Sequence, residues 1–250
     1  MHPDKVVIIT GCSKGIGKAT VEQLYALDSS ITVVGVARSE KELQALKEVY
    51  SNFEYVTGSL TNHQTILELT KLIDLKYKRV DALFANAGVL NPITHIPNID
   101  MDEFRYAFDV NFFSVVSLIK ELWLYVRHGR VILNSSGAAL NPYHGLSAYC
   151  CSKTALNMFG AAITKEGGFS IAIRPGIVGT DMQDQLRNSS GLSPNDRAYF
   201  QNLRDEDKLI DPKQTGRLFA QLAIGTVDPT WNGAFLSHDD PRLAHLQQNK

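Results

Sequence analysis

An unbroken apolar run, KVVIIT at positions 5–10, passes directly into TGCSKGIG at 10–17, and a helix-period segment follows. This join restricts the fold more than any other feature. A strand built of Val and Ile must be covered on both faces, as strands of parallel sheets packed between helices are. Gly11, Gly15 and Gly17 permit a tight turn that brings backbone N–H groups close to an anion at the positive end of the helix. A second run of the same kind, ITVVGVA, occupies 31–37, and shorter strands are read at 53–57, 80–85, 130–134, 170–174 and 234–237. Helix-period segments separate them, those of the second half at 101–125, 147–165 and 212–224. Ser39 with Glu42, and Thr61 with Gln64, have capping-box spacing. The alternation predicts an α/β fold with a doubly wound, parallel, seven-stranded sheet. No linker or repeat divides residues 1–250, so one domain is expected. Segment 182–210 is polar with scattered apolar positions and reads as a mobile helical flap within that domain.

Charge and composition narrow the function. A formal net charge of −1 gives no basic face for nucleic acid or an anionic membrane. No apolar run approaches the roughly 20 residues that span a bilayer, and the segment before the first strand is too short for a secretion signal. Three cysteines, an odd number, argue for a reducing, cytoplasmic setting rather than a disulfide scaffold. The histidines are scattered without an HExxH pair, so no metal is expected.

AYCCSK, at 148–153, gathers several reactive side chains. On a helix, Tyr149 and Lys153 share a face, whereas Cys150 and Cys151 point roughly 100° and 200° away from the tyrosine. Adjacent cysteines bridge only with strain and no CxxC is present, so both thiols read as small packing groups. A thiol nucleophile served by Lys153 is the alternative. Tyrosine, with a pKa of about 10, is a poor acid at neutral pH, and lowering it by about 3 units takes roughly 4 kcal/mol. An ammonium about 4 Å away supplies that only at an effective dielectric near ~20, where water is partly excluded. Such a phenol could protonate a carbonyl oxygen as hydride reaches the carbon. Ser136 directly follows a strand and can polarise the same carbonyl; Ser135 is the alternative.

The spacing Thr-Gly-x-x-x-Gly-x-Gly from Thr10, followed in order by ANAG, NSS, Tyr149-x-x-x-Lys153 and RPGIVGT, resembles the short-chain dehydrogenase/reductase family from about residue 5 to 240. The resemblance implies a Rossmann-type domain that binds NADP(H), with Tyr149, Lys153, Ser136 and Asn111 as the catalytic set. Asn111 would hold a water linking Lys153 to solvent. Cofactor contacts are implied for Gly11, Ser13, Lys14, Gly15, Ile16 and Gly17 in the turn, and for Ser59 and Leu60 after the third strand. Further contacts are implied for Asn86, Ala87 and Gly88, with Asn86 either touching ribose or bridging strands. Val178 and Thr180 would reach the nicotinamide carboxamide, with Pro175 and Gly176 turning the chain to let them. The second strand ends at Ala37 and Arg38, with no carboxylate until Glu40. Arg38 and Lys14 together read as a 2′-phosphate site, hence NADPH, unless they are merely solvated charges. Ser59 stands where the family usually carries an acid against adenine.

Tyr143, Leu90, Met182 and His144 are candidates for a moderately apolar substrate wall, or for ordinary loop packing. GVARSEKEL, ANAGVLNP, NFFSVVSLI and PGIVGTDMQ resemble the fungal benzil reductases that form benzoin, which are themselves similar to sepiapterin reductases. That implies reduction of a ketone or of one carbonyl of a vicinal diketone. An NAD(P)-dependent alcohol or steroid dehydrogenase and a pterin reductase are the rival enzymes. An NADP(H)-binding regulator is the rival non-enzyme, although it would be expected to lack part of the active set. A homodimer or homotetramer through the helices after the fourth and fifth strands is expected.

Overall fold

Residues 5–247 are described by a computed structural model, and seven parallel strands lie at its centre in the order β3-β2-β1-β4-β5-β6-β7. The first half runs β1 (Val6–Thr10), α1 (Gly15–Leu27), β2 (Thr32–Ala37), α2 (Glu40–Val49), β3 (Phe53–Thr57), α3 (His63–Lys76) and β4 (Ala82–Ala85). After it come α4 (Met101–Phe108), α5 (Ser114–Val126), β5 (Arg130–Asn134), α6 (Ser147–Lys165) and β6 (Phe169–Arg174). Then come α7 (Asp181–Asn188), α8 (Pro194–Asp205), α9 (Pro212–Ile224), β7 (Phe235–Ser237) and a short α10 (Ala244–Gln247). This is the expected Rossmann-type architecture, with strand limits matching the sequence reading to within two residues.

Alternation within β1 explains why its run is wholly apolar. Val7 and Ile9 enter one core layer with Val21 and Leu24 of α1 and Leu218 and Phe219 of α9. Val6 and Ile8 enter the opposite layer with Ile66 and Leu69 of α3 and Leu118 and Leu122 of α5. A polar residue at any of these positions would be buried without a partner. The crossovers from β1 lead one way to β2, while β4 lies on the other side. The carboxyl ends of β1 and β4 therefore flank the crevice where such sheets bind ligands.

Four expectations need correction. Asn62, not Thr61, caps α3, its side chain accepting from the Gln64 N–H, while Thr61 bonds to Ser59. Ser39 precedes α2 but bonds to the Glu42 carboxylate instead of capping a backbone N–H. The helix expected over 101–125 is interrupted by a π turn at Asp109–Phe113, because Asn111 is drawn inward by the Val89 peptide. Segment 182–210 contains α7 and α8, but it is no bare polar flap. Leu186, Leu192 and Phe200 are buried in a third cluster with Leu90, Leu146 and Tyr149, forming a packed cover.

Candidate active site

The turn after β1 lies flat against the loop after β4. Gly11 has φ of +68° and Gly15 of +55°, left-handed values that favour glycine. A Cβ on Gly17 would fall 2.3 Å from the Gly11 carbonyl oxygen. At α1 no side chain caps the first N–H groups, which leaves the positive end of the helix open. A cleft of about 1270 Å³ begins there, lined by Ser13, Lys14, Gly15 and Ile16, with Arg38, Ser59 and Leu60 at its outer end and Ala87 and Gly88 beneath. The bare glycine cradle and the open helix end fit a dinucleotide pyrophosphate.

Arg38 is exposed at the cleft mouth beside Ala37, and the Glu42 carboxylate, which also lines the cleft, is engaged by Ser39. Lys14 does not join Arg38 as expected. Its Nζ lies 2.7 Å from the Asp181 carboxylate, with the two side chains 72% and 70% exposed. The lysine holds Asp181 below the ordinary carboxylate range, chiefly through that hydrogen bond. An exposed pair of this sort contributes only ~0–1 kcal/mol, so Lys14 can exchange partners cheaply.

The ends of three strands are tied together by amides. Asn86 Nδ2 donates to the Thr10 carbonyl (2.9 Å) and the Gly11 carbonyl (3.2 Å), and Asn86 Oδ1 accepts from Asn134 Nδ2 (2.9 Å). Of its two expected roles, the Asn86 side chain therefore performs strand bridging. The Asn134 carbonyl in turn accepts from Lys153 Nζ at 2.7 Å.

One turn back along α6, the Tyr149 ring centroid is 5.7 Å from that Nζ, on the shared face the spacing predicted. Both groups are buried. Burial pushes the phenol above its ordinary value, only partly countered by a hydrogen bond with Ser136, and burial lowers Lys153 to about 8. The sequence reading had the ammonium acidifying the phenol. Within the protein alone, the desolvation of both groups is the larger effect. Ser136 and Ser135 both line the cleft; Ser136 Oγ also accepts from the Ala138 N–H at 3.1 Å, and the Ser135 hydroxyl is buried and unpartnered.

Asn111 is fully buried. It brackets Val89, accepting from that N–H at 2.8 Å and donating to its carbonyl at 2.9 Å, and it also donates to Ser152 Oγ at 3.1 Å. Pro175, Gly176, Val178 and Thr180 line the cleft. Gly176 has φ of +82°, and a Cβ there would strike Ile210 and His238. Leu90, Tyr143 and Met182 also line the cleft. His144 does not, packing edge-on against His95 instead. Cys150 is buried and its thiol is pushed up, while Cys151 is exposed and so is not the packing group expected. Cys12 is buried, its thiol raised to about 12 by desolvation.

Sequence reasoning missed Arg174 and His238, which line the substrate end, and Phe200 of the cover. Arg174 was visible in the RPGIVGT segment, but nothing local shows that the end of β6 faces the same space as Ser136. Among the described residues, no group of three His, Cys, Asp or Glu converges, and no helix is long and apolar enough to cross a membrane.

Residues 5–191 match the family model for short chain dehydrogenase. An uncharacterized oxidoreductase of Saccharomyces cerevisiae is 38% identical over 248 residues, covering 96% of this chain and 98% of the relative. A benzil reductase ((S)-benzoin forming) of the same yeast is 35% identical over 260 residues, covering 97% and 99%. The crystal structure of a short chain dehydrogenase/reductase from Saccharomyces cerevisiae, 36% identical, aligns with a TM-score of 0.95 over 98% of this chain and 100% of that one.

Proposed function

The chain belongs to the short-chain dehydrogenase family, and from that premise we propose that it is an NADPH-dependent reductase of ketones and vicinal diketones. The observation that carries this reading is the convergence of Tyr149, Lys153 and Ser136 on the cleft that the glycine turn opens. The benzil reductase among its relatives and the apolar wall of Leu90, Tyr143, Met182 and Phe200 support a diketone with hydrophobic substituents.

When bound, NADPH supplies a hydride and leaves a positive charge in the cleft. Ser136 donates a hydrogen bond to the substrate oxygen, polarising its carbonyl. Tyr149 passes its proton to that oxygen, and the Lys153 ammonium stabilises the phenolate left behind. The Asn134 carbonyl keeps the ammonium on the inner side of the phenol. Asn111 seats the water through which Lys153 recovers a proton. Arg38 holds the 2′-phosphate, joined by Lys14 when it leaves Asp181. The backbone of Gly11–Gly17 cradles the pyrophosphate, while Ser59 and Leu60 border the adenine. The 182–210 cover excludes water from the reacting groups.

The test is absorbance at 340 nm with benzil, NADPH and NADH. NADPH should give kcat/KM at least about tenfold above NADH, and Arg38→Asp should erase the preference, since a charged hydrogen bond is worth ~1.5–3 kcal/mol. Equal or better use of NADH would overturn the cofactor assignment. No turnover of any ketone would overturn the activity.

A further inference from the structure

Arg174 closes β6 immediately before the Pro175–Gly176 turn, where a strand otherwise buried on both faces emerges at the carboxyl edge of the sheet. Its guanidinium is held in place from the neighbouring strand. Nε and Nη2 donate to Ser237 Oγ at 3.0 and 2.8 Å, and Nη2 lies 3.9 Å from Asp239. The remaining nitrogen, Nη1, has no hydrogen-bond partner among the described residues. It points along Gly137, the residue after Ser136: a Cβ there would stand 3.2 Å from Arg174 Cδ and 4.0 Å from Nη1. Arg174, Ser136 and Tyr149 line one cleft, and the Arg174 side chain is 36% exposed.

We infer that Arg174 selects vicinal dicarbonyl substrates, its Nη1 donating to the oxygen on the carbon next to the one reduced. The inference rests on the carbonyl-reductase reading and adds to it the group that recognises the second oxygen. Arginine only donates, so its partner must be an acceptor; a methylene in that place leaves a desolvated donor unpaired. Ser136 takes the first oxygen, and the guanidinium stands one residue further along the same wall. A purely structural role would be the tie to Ser237 together with the ion pair to Asp239, but the tie uses only Nε and Nη2 and the acid is 66% exposed and 3.9 Å away. Such a pair contributes ~0–1 kcal/mol and leaves Nη1 unspent. Asp239 also offsets part of the positive charge, so a neutral diketone or 2-oxo ester satisfies the site as a 2-oxo carboxylate does. All three present the same vicinal acceptor.

The experiment compares kcat/KM, with NADPH, for 1-phenyl-1,2-propanedione, methyl phenylglyoxylate, phenylglyoxylate and the one-carbonyl reference benzaldehyde. Wild type and the variants Arg174→Met and Arg174→Lys are measured, with NADPH affinity by fluorescence titration as the check of folding. Arg174→Met should lower the ratio of dione to benzaldehyde by tenfold or more, mainly through KM, while NADPH affinity stays within threefold. Arg174→Lys, which keeps a cationic donor, should retain more of that ratio than Arg174→Met. The two neutral probes should fall together; a fall confined to phenylglyoxylate would mean a carboxylate site and overturn the dicarbonyl inference. Parallel loss on dione and benzaldehyde, identical behaviour of Met and Lys variants, or loss of NADPH binding would assign Arg174 to structure alone. If wild type reduces no carbonyl probe, the function proposed above fails first. If it reduces them and the ratio does not move, only the role of Arg174 fails.

Discussion

Lys153 is the residue whose protonation sets the pH range of the proposed reduction. Burial raises the Tyr149 phenol and brings the Lys153 ammonium down to about 8, so near neutrality both carry their protons. As pH rises through the lysine value the positive charge is lost, and with it the stabilisation of the phenolate. We expect log kcat/KM for benzil to be level below that point and to fall with a slope near −1 above about 8, the value burial gives Lys153. A profile level to pH ~10, the ordinary lysine range, would mean that burial does not lower Lys153 in the working enzyme. Tyr149→Phe should lower kcat by about 10²–10⁴-fold, the usual contribution of a general acid, with NADPH affinity by titration little changed. Cys150→Ala and Cys151→Ala should stay within about twofold, the scale of ~0.4 kcal/mol at 1.4 kcal/mol per tenfold. Cys150 is held as a neutral thiol and Cys151 faces outward. The placement of Tyr149, Lys153 and Ser136 was legible because they lie at fixed spacings on one helix and one strand end. The Lys14–Asp181 pair was not legible, since it joins the turn before α1 to the start of α7, positions far apart in sequence.

Between elements, α1 and α9 pack closely against each other. Gly216 of α9 faces Ala19 of α1, where a Cβ would come within 2.6 Å of backbone carbon. Gly216→Ala should therefore destabilise by about 1–3 kcal/mol through overpacking. A chain of this length then loses roughly 2–4 °C of Tm per kcal/mol, measurable by thermal unfolding. An unchanged or raised Tm would mean that the helices part without penalty. Regular periodicity made the strands and α6 readable to within a residue or two. It failed where a side chain overrode the repeat. The inward pull on Asn111 inserts a π turn that hydrophobic spacing cannot register, and Asn62 outcompetes Thr61 as a cap because its carbonyl reaches the Gln64 N–H. The cover over 182–210 misled for a related reason. Its few apolar residues are spread across two short helices and the connection between them, so average polarity conceals that Leu186, Leu192 and Phe200 are buried.

For the whole molecule, several exposed apolar side chains lie on the helices after β4 and β5: Tyr106, Phe113, Leu124 and Met158 are between 44% and 73% exposed. We propose that these faces pair copies of the chain into a homodimer or homotetramer. Phe113→Glu combined with Met158→Glu should then shift the mass measured by light scattering to that of one chain, 27.7 kDa for the natural sequence. An unshifted mass would place the interface elsewhere. The crevice itself was foreseeable from strand order, whereas its far wall was not, because Arg174 and His238 reach it from strands at the other end of the sequence. The amide ladder from Thr10 through Asn86 and Asn134 to Lys153 also limits how the molecule can breathe. It rivets the seam between the two halves of the sheet, so the halves cannot swing apart like a book. What can still give way beside the reacting groups is the roof of α7 and α8, seated on them by apolar packing and outside this ladder.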